Sequence, residues 1–134
     1  MRFVLDIEPP RTTAQQKRIV FRGDGRPQFY DGARLSQARG TLRSALFENK
    51  PKEPMQGCLA LKVQWLFSTP DGRKWGKWKR TRPDTDNLQK MLKDEMTRAG
   101  YWKDDAQVCV EHVEKAWDID GRIVIEIEEL EEKR

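Results

Sequence analysis

The chain has one histidine, His112, and two cysteines, Cys58 and Cys109, among its 134 residues. No Ser-His-Asp or Cys-His set can be assembled without His112, which falls on an expected strand, where a structural or exposed role is the commoner one. The cysteines have no paired spacing and lie in apolar, strand-like surroundings. That argues against a thiolate zinc site and for reduced core thiols. No phosphate-cradling glycine loop of the Walker or Rossmann type is present. Nor does any apolar run approach the roughly 18–20 residues that span a bilayer, and the N-terminal stretch lacks the hydrophobic core of a signal peptide. A cytoplasmic protein with no membrane partner is expected. Hydrophobic residues make up 37% of the sequence and charged ones 36%, so much of the chain must be surface. A length of 134 residues still suffices for one domain, 1–134, with a core that needs no staples.

What is present is charge, and it is segregated. Net charge is only +4, yet Asp71 to Arg82 holds six basic residues against one acid, while Glu126 to Arg134 holds five acids against two bases. The basic stretch carries Arg73, Lys74, Lys77, Lys79, Arg80 and Arg82, with Trp75 and Trp78 between them. Cations suit a polyanion and exposed aromatic faces suit unstacked bases, so this segment is the candidate nucleic-acid surface. It belongs to some 16 residues without periodicity, Ser68 to Pro83. Loops of that length inside compact domains are usually functional or disordered. A charge run alone is often just a solvated face; the two tryptophans weigh against that, because an exposed tryptophan is costly without a partner.

Directly afterwards come two carboxylates one residue apart, Asp84 and Asp86, with Lys90 four residues on. A second acidic pair, Asp104 and Asp105, follows the next helix. Singly, each feature is weak: an aspartate at a helix start is usually a cap, and Asp-Asp usually marks a turn. Jointly they suit a hard divalent cation, which takes oxygen ligands, commonly one or two carboxylates plus water and substrate phosphate. If the loop after the helix returns to the sheet edge where the helix began, Asp84, Asp86 and Asp105 converge. Their mutual repulsion would then call for a cation, and the cation would supply the means to break a phosphodiester. Lys90 either stabilises charge at the phosphate or pairs with Asp86 and Asp94 along the helix surface. These residues point to a metal-dependent nuclease.

Periodicity places the motifs. Phe3, Leu5 and Ile7 alternate with polar residues, and the strand ends at Pro9-Pro10. Gly23-Asp24-Gly25 suggests a hairpin reaching Phe29-Tyr30, either a second DNA-facing element or a solvated loop. Ala33 to Asn49 reads as a helix with Leu35, Ala38, Leu42, Ala45 and Leu46 on one face. Leu59, Leu61, Val63, Trp65 and Phe67 mark the clearest strand, expected to be central. Asp84 to Ala99 reads as a second helix, with Leu88, Met91, Leu92, Met96 and Ala99 in one arc and Gly100 ending it. Glu95 falls inside that arc, where an apolar residue belongs. Gln107 to Trp117 reads as a strand with Val108 and Val110 inside, and Asp120-Gly121 as a two-residue hairpin turn into Ile123, Ile125 and Ile127.

The run Arg82-Pro83-Asp84-Thr85-Asp86-Asn87-Leu88-Gln89-Lys90, then Asp94, then Gly100-Tyr101-Trp102-Lys103-Asp104-Asp105-Ala106-Gln107-Val108, resembles the signature of the RusA-type Holliday-junction resolvases, small phage and bacterial endodeoxyribonucleases. The match is densest over about 27 residues. The resemblance implies an α+β fold, a mixed β-sheet with two main helices packed on it. It further implies a homodimer that binds four-way DNA junctions and nicks two strands symmetrically with Mg²⁺ or Mn²⁺. By motif position, Asp84, Asp86 and Asp105 would be the metal-binding carboxylates, Lys90 the catalytic lysine and Asp104 an auxiliary acid. The loop with Trp75 and Trp78 lies outside the signature, so a role in opening the junction is inferred separately. Two alternatives are a branched-DNA-binding module without catalysis and a monomeric flap or branched-DNA nuclease.

Overall fold

The computed structural model describes residues 1–13, 18–21, 27–30 and 32–132, the two short segments by backbone alone. Along the chain run β1 (Arg2–Leu5), β2 (Arg18–Phe21), β3 (Pro27–Tyr30), α1 (Ala33–Asn49), β4 (Leu59–Ser68), α2 (Thr85–Ala99), a 3-10 turn (Asp105–Gln107), β5 (Val108–Asp118) and β6 (Arg122–Glu129). β1, β6, β4 and β5 form one mixed sheet in that order, with β4 parallel to β5 and antiparallel to β6. β2 and β3 pair separately as the expected hairpin, whose connecting residues lie outside the described ones. The α+β arrangement of a mixed sheet and two main helices is therefore what forms.

Strand periodicity of two explains where the core sits. Phe3 and Leu5 on β1, Ile123, Ile125 and Ile127 on β6, and Leu61, Val63 and Trp65 on β4 align across the sheet in register. They share one face, and α1 and α2 cover it with Leu35, Leu42, Leu46, Leu88, Met91, Leu92 and Met96. α2 ends as its sequence requires. Gly100 takes a left-handed conformation at φ 92°, and the N–H groups of Gly100 and Tyr101 close onto the carbonyl of Met96.

Glu95 has a specific partner set. It is fully buried between the helices, where Arg43 meets it at 2.7 Å, Arg39 at 3.3 Å and Arg98 at 3.4 Å. Burial pushes its pKa up, but the guanidiniums, Arg43 foremost, more than compensate and leave it below the ordinary glutamate value.

Three expectations are corrected. Cys58 and Cys109 are exposed rather than core thiols, standing where β4 and β5 begin. Asp120-Gly121 is not a hairpin turn, because β4 lies between β5 and β6. The 119–121 connection passes the end of β4, and a Cβ on Gly121 would lie 2.8 Å from Glu8 Cα. Finally, Val110 is 53% exposed, and Val113 and Trp117 pack toward the core instead. The cause is a register shift between Leu59 and Ala60: Leu59 faces Val108 but Ala60 faces Val110, so β5 holds one extra residue there. An extra residue reverses which side chains point inward.

Candidate active site

β5 sits at the sheet edge next to α2, and the bulge gives it Glu111, Val113 and Lys115 on the helix-covered side, level with Leu61, Val63 and Trp65. α2 faces this row with its first three turns. Between them runs a cleft of about 380 Å³ lined by Asp86, Gln89, Lys90, Asp94, Asp105 and Glu111, among others. Asp86 from the first turn of α2 and Asp105 from the foot of β5 thus border one space.

The two ends of the cleft are held differently. Asp84 is the N-cap residue of α2, but its side chain makes no cap bond. The turn before it is clamped by two lysines. Lys115 donates to the carbonyls of Thr81 at 2.7 Å and Pro83 at 2.8 Å. Lys79 donates to the carbonyl and hydroxyl of Thr81 and to the carbonyl of Arg82. Burial lowers the pKa of Lys115, while the charge of Asp84 pulls it back up. Burial, with Lys115 and Arg11 nearby, pushes Lys79 down to about 8.

At the other end, Asp104 caps the 3-10 turn, accepting from the Ala106 N–H at 2.9 Å. Gln107 completes the box by accepting from the N–H groups of Lys103 and Asp104, and its amide donates to the carbonyls of Met55 and Gly57. Asp105 is left exposed on a fixed turn. Asp104 is thus the cap of the turn that carries Asp105, with Oδ1 engaged by the Ala106 N–H.

Of the three acids expected to converge, Asp86 and Asp105 line one cleft. Asp84 stands outside the cleft lining, and Asp105 shares a second depression with Asp94, Asp104 and Lys103. Asp94 lies eight residues beyond Asp86, about 12 Å along the helix axis at 1.5 Å per residue. Among the described residues no three His, Cys, Asp or Glu side chains stand ready to hold one ion. The donor chemistry nevertheless fits a hard cation: exposed carboxylate oxygens in an open cleft, of which Mg²⁺ commonly takes one or two. Lys90 is exposed and forms no ion pair with Asp86 or Asp94 among the described residues, so its ammonium stays free to meet an anion.

Comparison with known proteins settles the affiliation. Residues 8–128 match the family described as Endodeoxyribonuclease RusA. A curated relative, the crossover junction endodeoxyribonuclease rusA of Lactococcus phage r1t, is 38% identical over 130 residues, covering 96% of this chain and 97% of its own. The chain belongs to the RusA endodeoxyribonuclease family. It is an endodeoxyribonuclease, and that chemistry implies a divalent metal ion.

In this RusA-family chain part of the basic segment lies along β5, the strand that borders the cleft, as an added edge. The N–H of Lys79 donates to the carbonyl of Lys115, that of Trp117 to Lys77, and that of Gly76 to Trp117, so 76–79 runs along β5. Trp78 is 72% exposed and Trp75 43%, with the Trp75 indole N–H donating to the Thr69 carbonyl. Lys74, Lys77, Arg80 and Arg82 are exposed, and Arg73 pairs with Asp71 at 3.0 Å. Lys79 departs from the expected DNA-facing set. It is 5% exposed, and its ammonium lies over the rings of Phe67 and Trp117. Alternation along the added edge turns Lys79 inward and Trp78 outward. His112 is exposed and 3.1 Å from Glu114.

Sequence reasoning missed Gln89 and Glu111 at the cleft and Lys115 under the turn before α2. The signal that could have found Glu111 and Lys115 was the period-two series Glu111, Val113, Lys115. The bulge hides its phase.

Proposed function

We propose that this chain, acting as one unit over 1–134, resolves four-way DNA junctions by paired, metal-dependent incisions as a homodimer. The observation that carries the reading is that Asp86 and Asp105, from opposite ends of the α2 segment, border one cleft beside Lys90 in a chain of this family. The curated relative is named for acting on crossover junctions.

Asp86 and Asp105 are the proposed holders of Mg²⁺, with Mn²⁺ able to substitute. Asp84 is the proposed third acid, its carboxylate being uncommitted to the helix end. The bound ion supplies charge at the scissile phosphate and a water of lowered pKa. Lys90 brings a positive charge to the phosphate from the helix face one turn after Asp86. Arg73, Lys74, Lys77, Arg80 and Arg82 hold the strand backbones, and Trp75 and Trp78 offer faces to bases unstacked at the branch. Lys79 is left out of that set, since its ammonium is engaged within the protein.

The test is a synthetic four-way junction incubated with the protein and Mg²⁺. Symmetric nicks that EDTA abolishes are expected. Binding without nicking under all metal conditions would contradict the reading.

A further inference from the structure

We propose that Glu111 is a further acidic group of the metal-binding cleft and that Gln89 is the residue that positions it. The inference rests on the nuclease reading above and assigns two residues that the motif does not.

Glu111 occupies an anomalous place. Its neighbours across the sheet, Leu61 on β4 and then Ile127 on β6, are fully or almost fully buried, so the row calls for an apolar side chain. A carboxylate stands there instead, its side chain 30% exposed on a residue that is exposed overall, bordering the cleft with Asp86 and Asp105. Burying part of a carboxylate is unfavourable unless it is hydrogen-bonded, and here the partners are specific.

Gln89 is 4% exposed on α2, an unusual depth for a glutamine. Its Oε1 accepts from the indole N–H of fully buried Trp65 at 2.7 Å, and its Nε2 donates to Glu111 Oε2 at 2.8 Å. An indole N–H can only donate, which fixes the amide: oxygen to Trp65, nitrogen to Glu111. The amide nitrogen thereby demands an acceptor in the cleft wall. Lys93 takes the other oxygen, Oε1, at 3.2 Å. Two ionised carboxylate oxygens offer about four acceptor positions, so one on each oxygen remains for the cleft. A rigid donor behind a carboxylate is the arrangement that orients a metal-binding group, and losing such a donor commonly lowers metal affinity about 10–100-fold. The core thus reaches the cleft through one relay, Trp65 to Gln89 to Glu111.

The test measures Mn²⁺ binding to the DNA-free protein by the paramagnetic resonance signal of the free ion, with thermal unfolding alongside. Glu111→Gln, which keeps shape and removes charge, is expected to weaken Mn²⁺ binding about tenfold or more. Gln89→Met, close in volume but unable to donate, is expected to weaken it severalfold, with raised Mn²⁺ restoring junction nicking. Asp86→Asn serves as the reference. If Asp86→Asn loses Mn²⁺ and the other two bind as the parent does, the inference is overturned while the nuclease reading stands. If none of the three changes Mn²⁺ binding, both fall. A lowered melting temperature with unaltered Mn²⁺ affinity in Glu111→Gln or Gln89→Met would make the relay purely structural and also overturn the inference.

Discussion

Glu95 and Lys79 show how much of this molecule is decided by single buried charges. Glu95 is enclosed, and three arginines from two helices converge on it. Removing one member of a buried ionic set leaves the others uncompensated, at about 3–5 kcal/mol. Because Arg43 and Arg98 are about half exposed, Glu95→Ala is expected near the lower end, about 3 kcal/mol by urea unfolding. The pH sign follows from its lowered pKa. The stabilisation is fully present above the unfolded value, 4.5, and is lost as pH falls through the folded one. Glu95→Gln should therefore flatten the fall of melting temperature on acidification below pH 4.5. Lys79 has the opposite behaviour. Its folded pKa of about 8 lies below the ordinary 10.5, so between those values the unfolded chain holds more protons and stability rises with pH. Lys79→Met should remove that rise, read as the urea midpoint at pH 7.5 against pH 9.5.

The elements differ in how far the sequence foretold them. α1 falls over Ala33–Asn49 as its leucine spacing indicated, and β4 is as central as its five alternating apolar residues implied. Both are governed by periodicity within one segment. The phase of β5 and the route from β5 to β6 were not legible, because a bulge and the insertion of β4 depend on partners far along the chain. For the same reason the sequence could not say which of Asp84, Asp86 and Asp105 would line one cleft; Asp86 and Asp105 do. The stretch Ser68 to Pro83 offered neither helix nor strand pattern, yet part of it pairs with β5 through backbone groups alone. That edge leaves Trp78 pointing outward, and each base stacked on an aromatic ring is worth about 1–3 kcal/mol. Replacing Trp75 and Trp78 together by alanine should weaken junction binding about tenfold or more in a mobility-shift titration, with melting temperature little changed. Equal binding would leave them as surface or protein contacts.

On the scale of the whole molecule, β5 carries Glu111 on the acidic cleft and, farther along, pairs with the 76–79 stretch of the segment that holds Lys74, Lys77, Arg80 and Arg82. Under the proposed function, affinity for DNA and the chemistry on it would rest on different residues. Two symmetric incisions in one junction need two such clefts, so sedimentation at working concentration should give a dimer, and a cruciform plasmid should be linearised without accumulating the singly nicked form. No described helix is long and apolar enough to cross a membrane. The separation of binding from chemistry is tested most directly by Asp86→Asn, with junction binding and Mg²⁺-dependent cleavage measured in the same sample. Binding close to that of the parent protein with cleavage abolished is the predicted result. Cleavage at the parent rate would mean that the Asp86–Asp105 cleft is not where the phosphodiester is broken.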